Sequence, residues 1–239
     1  MERAPRLSLI VPTLNEAVAI EGFLGAVLPV LRQLDCELIL VDDRSADGTA
    51  ALAARRLEGE PVPHRILVRE GPASLGLSVI EGWRMARGAV LGVMDADLSH
   101  PPELLPDLLR EVEAGADVAF ATRYMEGGGT EGWPWPRRTA SRVASGLART
   151  LVRARDPLSG FFLLRREVLA GVELSPRGWK IGLEVLCRGR WERLAEVPYV
   201  FRDRFQGKSK FGRRVVLDYL IHVARLHRDR LKAGELGRR

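Results

Sequence analysis

The feature that most constrains this chain is an alternation. Over its first half, short apolar runs take turns with segments of helical periodicity. The runs are LSLIVP (7–12), CELILVDD (36–43), RILVR (65–69), AVLGVMD (89–95) and DVAFATR (117–123). They are rich in Val, Ile and Leu and nearly continuous, as strands buried on both faces must be. Between them the pattern predicts helices near 15–34, 47–57, 75–87 and 102–114. Asn15 is placed to cap the first, whose apolar face is Ile20, Leu24, Val27, Leu31 and Leu34; Pro29 inside it predicts a kink or a break. Pro101 and Pro102 suit the first turn of the fourth helix. Strand and helix alternating in this way imply an α/β fold, a mostly parallel sheet with helices on both faces. A chain of 239 residues, 46% of them hydrophobic, can bury one sizeable core.

Sheets of this kind bind ligands at the carboxyl ends of their strands. The polar segments fall there: PTLNE after the first run, DDRS after the second and DADLS after the fourth. Three loops from separate strands thus converge on one edge. Asp95 and Asp97, two residues apart, can reach one hard cation of the magnesium or manganese type, with water and substrate phosphates completing its shell. Such a cation would offset charge on a departing diphosphate. An Asp-rich surface turn is the plainer reading of that pair. Asp42 and Asp43 end the second run; one can accept hydrogen bonds from a base or ribose while the other closes an Asx turn into the next helix. Arg123, Arg137, Arg138, Arg204, Lys208 and Lys210 are candidate phosphate ligands. Glu16, Asp156 and Glu184 are candidate acids or bases, with Glu184 equally suited to a helix surface.

After Arg123 the pattern changes. YMEGGGTEGWPWPRR is too irregular for a core element and suits a binding loop or lid. A helix near 137–153, a short strand and helix in DPLSGFFLLRREVL, a helix in GWKIGLEVLCRG and a strand in LAEVPYVF follow. A basic loop, RDRFQGKSKFG, leads to an amphipathic helix at 213–232 carrying Val216, Leu217, Leu220, Val223, Ala224, Leu226 and Leu231. We therefore expect two parts, 1–212 and a basic C-terminal helix and tail at 213–239. From Arg202 onward 12 Lys and Arg face 4 Asp and Glu, so most of the net charge of +6 sits at that end and an anionic partner is expected. Few aromatics interleave with those charges (Phe205, Phe211, Tyr219), which argues against nucleic acid. No run approaches the roughly 18 apolar residues of a membrane span. The N-terminus lacks a signal-peptide core. Cys36 and Cys187 stand alone, and His64, His100, His222 and His227 have no metal-ligand spacing. A cytoplasmic chain is expected.

The segments VPTLNE, VDDRSADGT, MDADLSHPPE, TRY…GGG…GW, DPLSGFF and RFQGKSKFG occur in the order found in family 2 glycosyltransferases. Over Leu7 to Gly212 the chain resembles the polyprenol- and dolichol-phosphate mannose synthases of that family. The resemblance implies a GT-A (Rossmann-like) fold and transfer of mannose from GDP-mannose to a polyprenyl or dolichyl phosphate, with inversion and with Mg2+ or Mn2+. Carried over by position, Pro12, Leu14, Glu16, Val41 and Asp43 would line the guanosine pocket. Asp95, Ala96 and Asp97 would meet the diphosphate, with Asp95 and Asp97 on the metal. Arg123, Arg204 and Lys210 would hold substrate phosphates, and with Asp97 the two arginines would carry catalysis. Arg137 or Arg138, with Ser141, would face the lipid phosphate. Leu14 stands where an aromatic is frequent and Arg44 where a smaller residue is. Ser99 replaces a Gln of some members, which leaves the third metal contact to water. Some relatives continue into membrane spans. This chain ends at Arg239 without one, so we expect helix 213–232 to lie peripherally on the cytoplasmic face of an anionic membrane; the competing reading packs its apolar face on the domain or on a small membrane partner protein. A polyprenyl-phosphate glucose synthase using UDP-glucose, and a catalytically silent nucleotide-sugar-binding subunit, are the alternatives. His100, where glucose synthases tend to be acidic, and the SGFF loop favour mannose.

Overall fold

A computed structural model describes residues 3–176, 180–202 and 213–232. The chain runs β1 (Leu7–Thr13), α1 (Ala17–Leu31), β2 (Cys36–Asp42), α2 (Thr49–Leu57), β3 (His64–Val68), α3 (Leu75–Met85), β4 (Val90–Val93), α4 (Leu105–Glu113) and β5 (Val118–Thr122). It continues with β6 (Gly129–Thr130), α5 (Trp135–Arg149), β7 (Phe162–Arg165), α6 (Ile181–Arg188), β8 (Leu194–Pro198), β9 (Val200–Phe201) and α7 (Arg213–Lys232). A seven-stranded sheet has the order β3-β2-β1-β4-β7-β5-β8, and β6 pairs with β9 apart from it. Every pairing in the large sheet is parallel except those of β7, which runs against both β4 and β5.

Side-chain alternation divides the core between the two faces of the sheet. Leu9, Val11, Leu38 and Leu40 join α1, α2 and α4 on one side; Ile10, Ile39 and Val41 join α3, α5, α6 and α7 on the other. Helix α3 comes very close to the sheet. A Cβ built on Gly82 would stand 2.7 Å from the Ile10 side chain, so a residue without one is required there.

Two local expectations change. Asn15 does not cap α1. It adopts a positive φ of 54° and its side chain accepts from Ala46 N instead. The helix start is served from the β2–α2 loop, where Asp47 Oδ2 accepts from Ala17 N (2.9 Å) and Thr49 Oγ1 from Glu16 N (2.9 Å). Pro29 does not break α1, which runs through it to Leu31. The 102–114 helix begins as a 3₁₀ turn over Pro102–Leu104 before α4.

Helix α7 divides the apolar set named above between two faces, one packed on the domain and one exposed. Val223 and Leu226 are buried in the core, whereas Leu217 and Leu231 are 58% and 66% exposed. Its inner face is held by Tyr219 Oη donating to Ala144 O of α5 (2.6 Å) and by His222 Nε2, 3.3 Å from Glu184 Oε2. Glu184 is accordingly not a surface residue: it is buried in α6, and Oε1 accepts from Ser175 N and Arg188 Nε.

Candidate active site

The reversed strand assembles the site. Phe162, the first residue of β7, pairs with Val93, the last of β4, and with Phe120 in the middle of β5. The loop entering β7 therefore reaches the same edge that β1, β2 and β4 leave, and segment 156–160 lies beside the Asp95–Asp97 turn. A Cβ on Gly160 would come within 3.1 Å of Asp95 Oδ2 and 3.4 Å of His100 Cε1.

At the β1–β2 end, the two adjacent carboxylates divide their work. Asp42 closes the Asx turn: Oδ1 accepts from Ser45 N (2.8 Å), and Oδ2 from Ser45 Oγ (2.6 Å) and Thr13 Oγ1 (3.0 Å). Asp43 points instead to Arg69, with which it forms a buried ion pair, and Oδ2 accepts from Ser74 N (2.5 Å) at the start of α3. Arg69 is fixed further by Glu81 (2.9 Å) and by Pro72 O (3.1 Å). Pro12 and Val41 are register partners, and Val41 is fully buried beneath α3, so its main chain is what faces the edge. Leu14 and Glu16 are half-buried at the same edge.

Asp95 and Asp97 lie beyond β4, in a turn with Leu98 at φ 60°. They are not equivalent. The Asp95 side chain is 34% exposed, whereas Asp97 and the intervening Ala96 are buried. Asp97 Oδ1 accepts from both Ser99 N (3.0 Å) and Ser99 Oγ (2.5 Å), so Ser99 orients Asp97. Behind Asp95 lies His100, boxed by Phe161, Tyr199 and Phe201. Burial pushes its pKa down to about 4. Its Nδ1 accepts from Asp95 N (3.3 Å), which also requires the neutral ring, so the 3.9 Å approach of Asp95 Oδ2 is no ion pair.

Arg123, at the end of β5, is buried and forks onto the buried Asp156: Nε–Oδ2 is 2.6 Å and Nη2–Oδ1 2.8 Å. Burial works against its charge, and Asp156 outweighs it, so the pKa rises. Around this pair the rings of Tyr124, Trp133 and Phe201 lie 5.1–5.7 Å from the guanidinium carbon. Trp133 also receives Arg137, at 4.2 Å, and Tyr124 Oη hydrogen-bonds Ser141 Oγ at 2.8 Å. Arg123, Arg137 and Ser141 thus join one cluster. Arg138 projects from α5 into solvent. Lys180, just before α6, donates to Leu158 O at 3.2 Å and interacts electrostatically with Asp95, Asp156 and Arg123.

Among the described residues no group of three or more His, Cys, Asp or Glu side chains could form a dedicated metal cage. Two carboxylates at a turn, one partly open and backed by a glycine whose missing side chain leaves room, fit a hard cation that keeps water and takes further oxygens from a bound phosphate.

The sequence profile of glycosyl transferase family 2 matches residues 8–172. The chain belongs to that family. Among relatives, a dolichol-phosphate mannosyltransferase of Pyrococcus furiosus is 39% identical over 92% of this chain, which spans 63% of that protein's length. A polyprenol monophosphomannose synthase of Mycolicibacterium smegmatis is 35% identical over 92% of this chain and 86% of its own. A crystal structure of glucosyl-3-phosphoglycerate synthase from Mycobacterium tuberculosis, with Mn2+, UDP-glucose and phosphoglyceric acid, aligns with a TM-score of 0.64 and 23% identity over 92% of this chain and 80% of that one; it shows the shared GT-A fold.

In this glycosyltransferase, Arg204, Lys208 and Lys210 lie outside the described residues. Sequence reasoning missed His100 as the neutral wall behind Asp95, and it missed Lys180. A signal for the second was present: Lys180 opens a helix whose residues Ile181 to Cys187 are all buried, an unusual place for an ammonium without a task.

Proposed function

We propose that this glycosyltransferase transfers mannose from GDP-mannose to a polyprenyl, dolichyl-type, monophosphate, inverting the anomeric carbon. The observation that carries the reading is the meeting at one sheet edge of the Asp95–Asp97 turn with the Arg123–Arg137–Ser141 cluster. One side offers a seat for a diphosphate and its cation, the other a seat for a second phosphate. The names of the mannosyltransferase relatives point the same way.

Asp43 and the backbone around Pro12, Leu14, Glu16 and Val41 hold the nucleoside end. Asp95 and Asp97 hold Mg2+ or Mn2+, which supplies charge neutralisation for the departing diphosphate. The acceptor is its own nucleophile. A phosphate monoester is ionised at neutral pH, so its oxygen bonds to the anomeric carbon as the bond to the diphosphate breaks, and no general base is needed. Arg137 and Ser141 orient that phosphate, and Arg123, Arg204 and Lys210 hold charge on the reacting groups. Catalysis here is positioning and electrostatics.

The lipid is reached peripherally, at the cytoplasmic face of a membrane. None of the described helices is long and apolar enough to cross one. Instead α5 and α7, joined by the Tyr219–Ala144 hydrogen bond, leave Trp135 and Val143, and Leu217 and Leu220, exposed. Apolar side chains on paired basic helices suit an anionic bilayer interface.

The direct test supplies labelled GDP-mannose or UDP-glucose with a short polyprenyl phosphate, with and without Mg2+ or Mn2+. Label entering lipid only from UDP-glucose refutes the mannose assignment. For the membrane, the double variant Leu217→Ser/Leu220→Ser is expected to lose flotation with phosphatidylglycerol vesicles at low salt. Its stability should stay within about 0.5 kcal/mol of wild type by urea melt, since both residues are exposed. Equal flotation of the two proteins removes α7 from the interface.

A further inference from the structure

Two arginines of the site are held in different ways. Arg123 is clamped by a carboxylate, with Asp156 accepting from its Nε and Nη2. Arg137, in the first turn of α5, lies over an indole instead, its guanidinium carbon 4.2 Å from the centre of the Trp133 ring. Arg123 stands 5.5 Å from the same ring, so one indole serves two cations at cation–π range.

The ring is more than a filler. Trp133 is half-buried in the link between β6 and α5 and belongs to neither core cluster. Its Nε1 is buried with no hydrogen-bond partner among the described residues. Leu or Met would fill the space without that cost. What the indole has and they lack is an electron-rich face, the best among side-chain rings for a cation. That face is fixed in place. Phe201 of β9 meets it edge to face, with centroids 5.1 Å apart at 67°. Pro134 follows it, confines the Trp133 backbone to extended conformations, and accepts from Arg137 N at its carbonyl (3.1 Å). Phe201 also meets the ring of His100, 5.9 Å away, behind Asp95. The row His100, Phe201, Trp133, Arg137 thus runs from the Asp95–Asp97 turn to the start of α5.

We propose that Trp133 is a positioning residue, whose π face holds the Arg137 guanidinium at the seat of the acceptor phosphate. A carboxylate would hold the same group and cancel its charge. A ring holds it and leaves the charge to act on an incoming phosphate. This rests on the reading of Arg137 as a ligand of the acceptor phosphate.

The test replaces Trp133, in the full chain, by tryptophans carrying progressively more fluorine. Fluorine withdraws charge from the face and leaves the shape nearly unchanged. KM is measured separately for a short polyprenyl phosphate and for whichever sugar nucleotide the labelling assay finds active. The acceptor KM should climb stepwise with fluorine content, by about 2- to 30-fold over the series. The donor KM and the thermal midpoint should stay flat. In an Arg137→Gln background the acceptor KM should sit at one raised value throughout the series. Trp133→Phe should keep part of the affinity that Trp133→Leu loses. An acceptor KM that ignores fluorine content, while Arg137→Gln raises it, overturns the proposal and leaves the ring a packing residue. A climb as large for the donor overturns it as well, because it assigns the face to Arg123. An acceptor KM unchanged in Arg137→Gln removes the underlying reading of Arg137, and the proposal with it.

Discussion

The two ends of the proposed active site are built differently. At the β1–β2 end, each carboxylate is closed from the ends of the first three strands and the start of α3: Asp42 by Ser45 and Thr13, Asp43 by Ser74 and Arg69. Helices cover both faces of the sheet there. In segment 124–161 and α7 such ion pairs also form, as Arg123 on Asp156, but large apolar residues stay outside, with Trp135 74% and Val143 68% exposed. The first end is complete as folded. The second has the surface of a part that is completed by something it meets. A nucleotide is a small, constant ligand and suits a preformed pocket; a lipid held in a bilayer does not.

Four changes test that contrast. The largest effect belongs to the seat where the ends meet. Asp97→Asn should lower kcat by about 10³-fold while leaving the melting temperature near wild type; retained turnover would separate the two ends chemically. Next in size, Asp156→Asn leaves Arg123 buried without its carboxylate and should cost about 3 kcal/mol in a urea melt. The equivalent Asp43→Asn leaves Arg69 with Glu81 and Pro72 O and should cost less, about 1 kcal/mol. Equal costs would erase the distinction in how the ends are braced. Third is Glu37, buried at the opposite, amino-terminal edge of the strands. Burial alone would raise its pKa, but hydrogen bonds from Ser8, Arg87 and Arg65 together hold it below its ordinary value. The folded carboxyl thus binds its proton less readily than the unfolded one. The stability it contributes is full above about pH 4.5 and is lost as pH falls through the folded pKa beneath that. Urea melts from pH 6 to about 3 should show this decline in wild type and a flatter profile in Glu37→Gln. Last is a glycine pair, whose second member carries the smallest effect. Gly82→Ala meets Ile10 and should destabilise by about 1–3 kcal/mol. Gly146→Ala in α5, where a Cβ meets nothing within 4 Å, should stabilise by about 0.5–1 kcal/mol. Destabilisation by the second would mean that the outer face of α5 is covered after all.

The same contrast explains what could be read in advance. Strands β1 to β5 and helices α1 to α4 were legible because a strand packed in the sheet shows as a short, nearly continuous apolar run, such as Leu38–Val41 or Val118–Ala121. The Asp95–Asp97 turn and the two roles of Asp42 and Asp43 followed from their place after such runs. The direction of β7 was not legible, since FFLLR reads the same whichever way it is laid in the sheet. Without that direction, nothing placed Gly160 against Asp95 or Asp156 beneath Arg123. Asp47 supplies the cap expected of Asn15 because a carboxylate from a neighbouring loop satisfies an amide as well as a local one, and sequence distance hides it. In α7 the apolar residues were correctly found and wrongly grouped. Side chains on a helix look alike in sequence whether they meet the core or the solvent, and only the packing of Tyr219 and His222 separates the two sets.

The reversal of β7 has one more consequence. Because β5 and β7 are antiparallel neighbours, the residues between them, 124–161, leave and return at the same place. In topological terms this stretch, helix α5 included, is an oversized hairpin turn. Insertions within it leave the strand order untouched, whereas Asp156, Gly160 and Ala144 keep it fastened to Arg123, Asp95 and Tyr219.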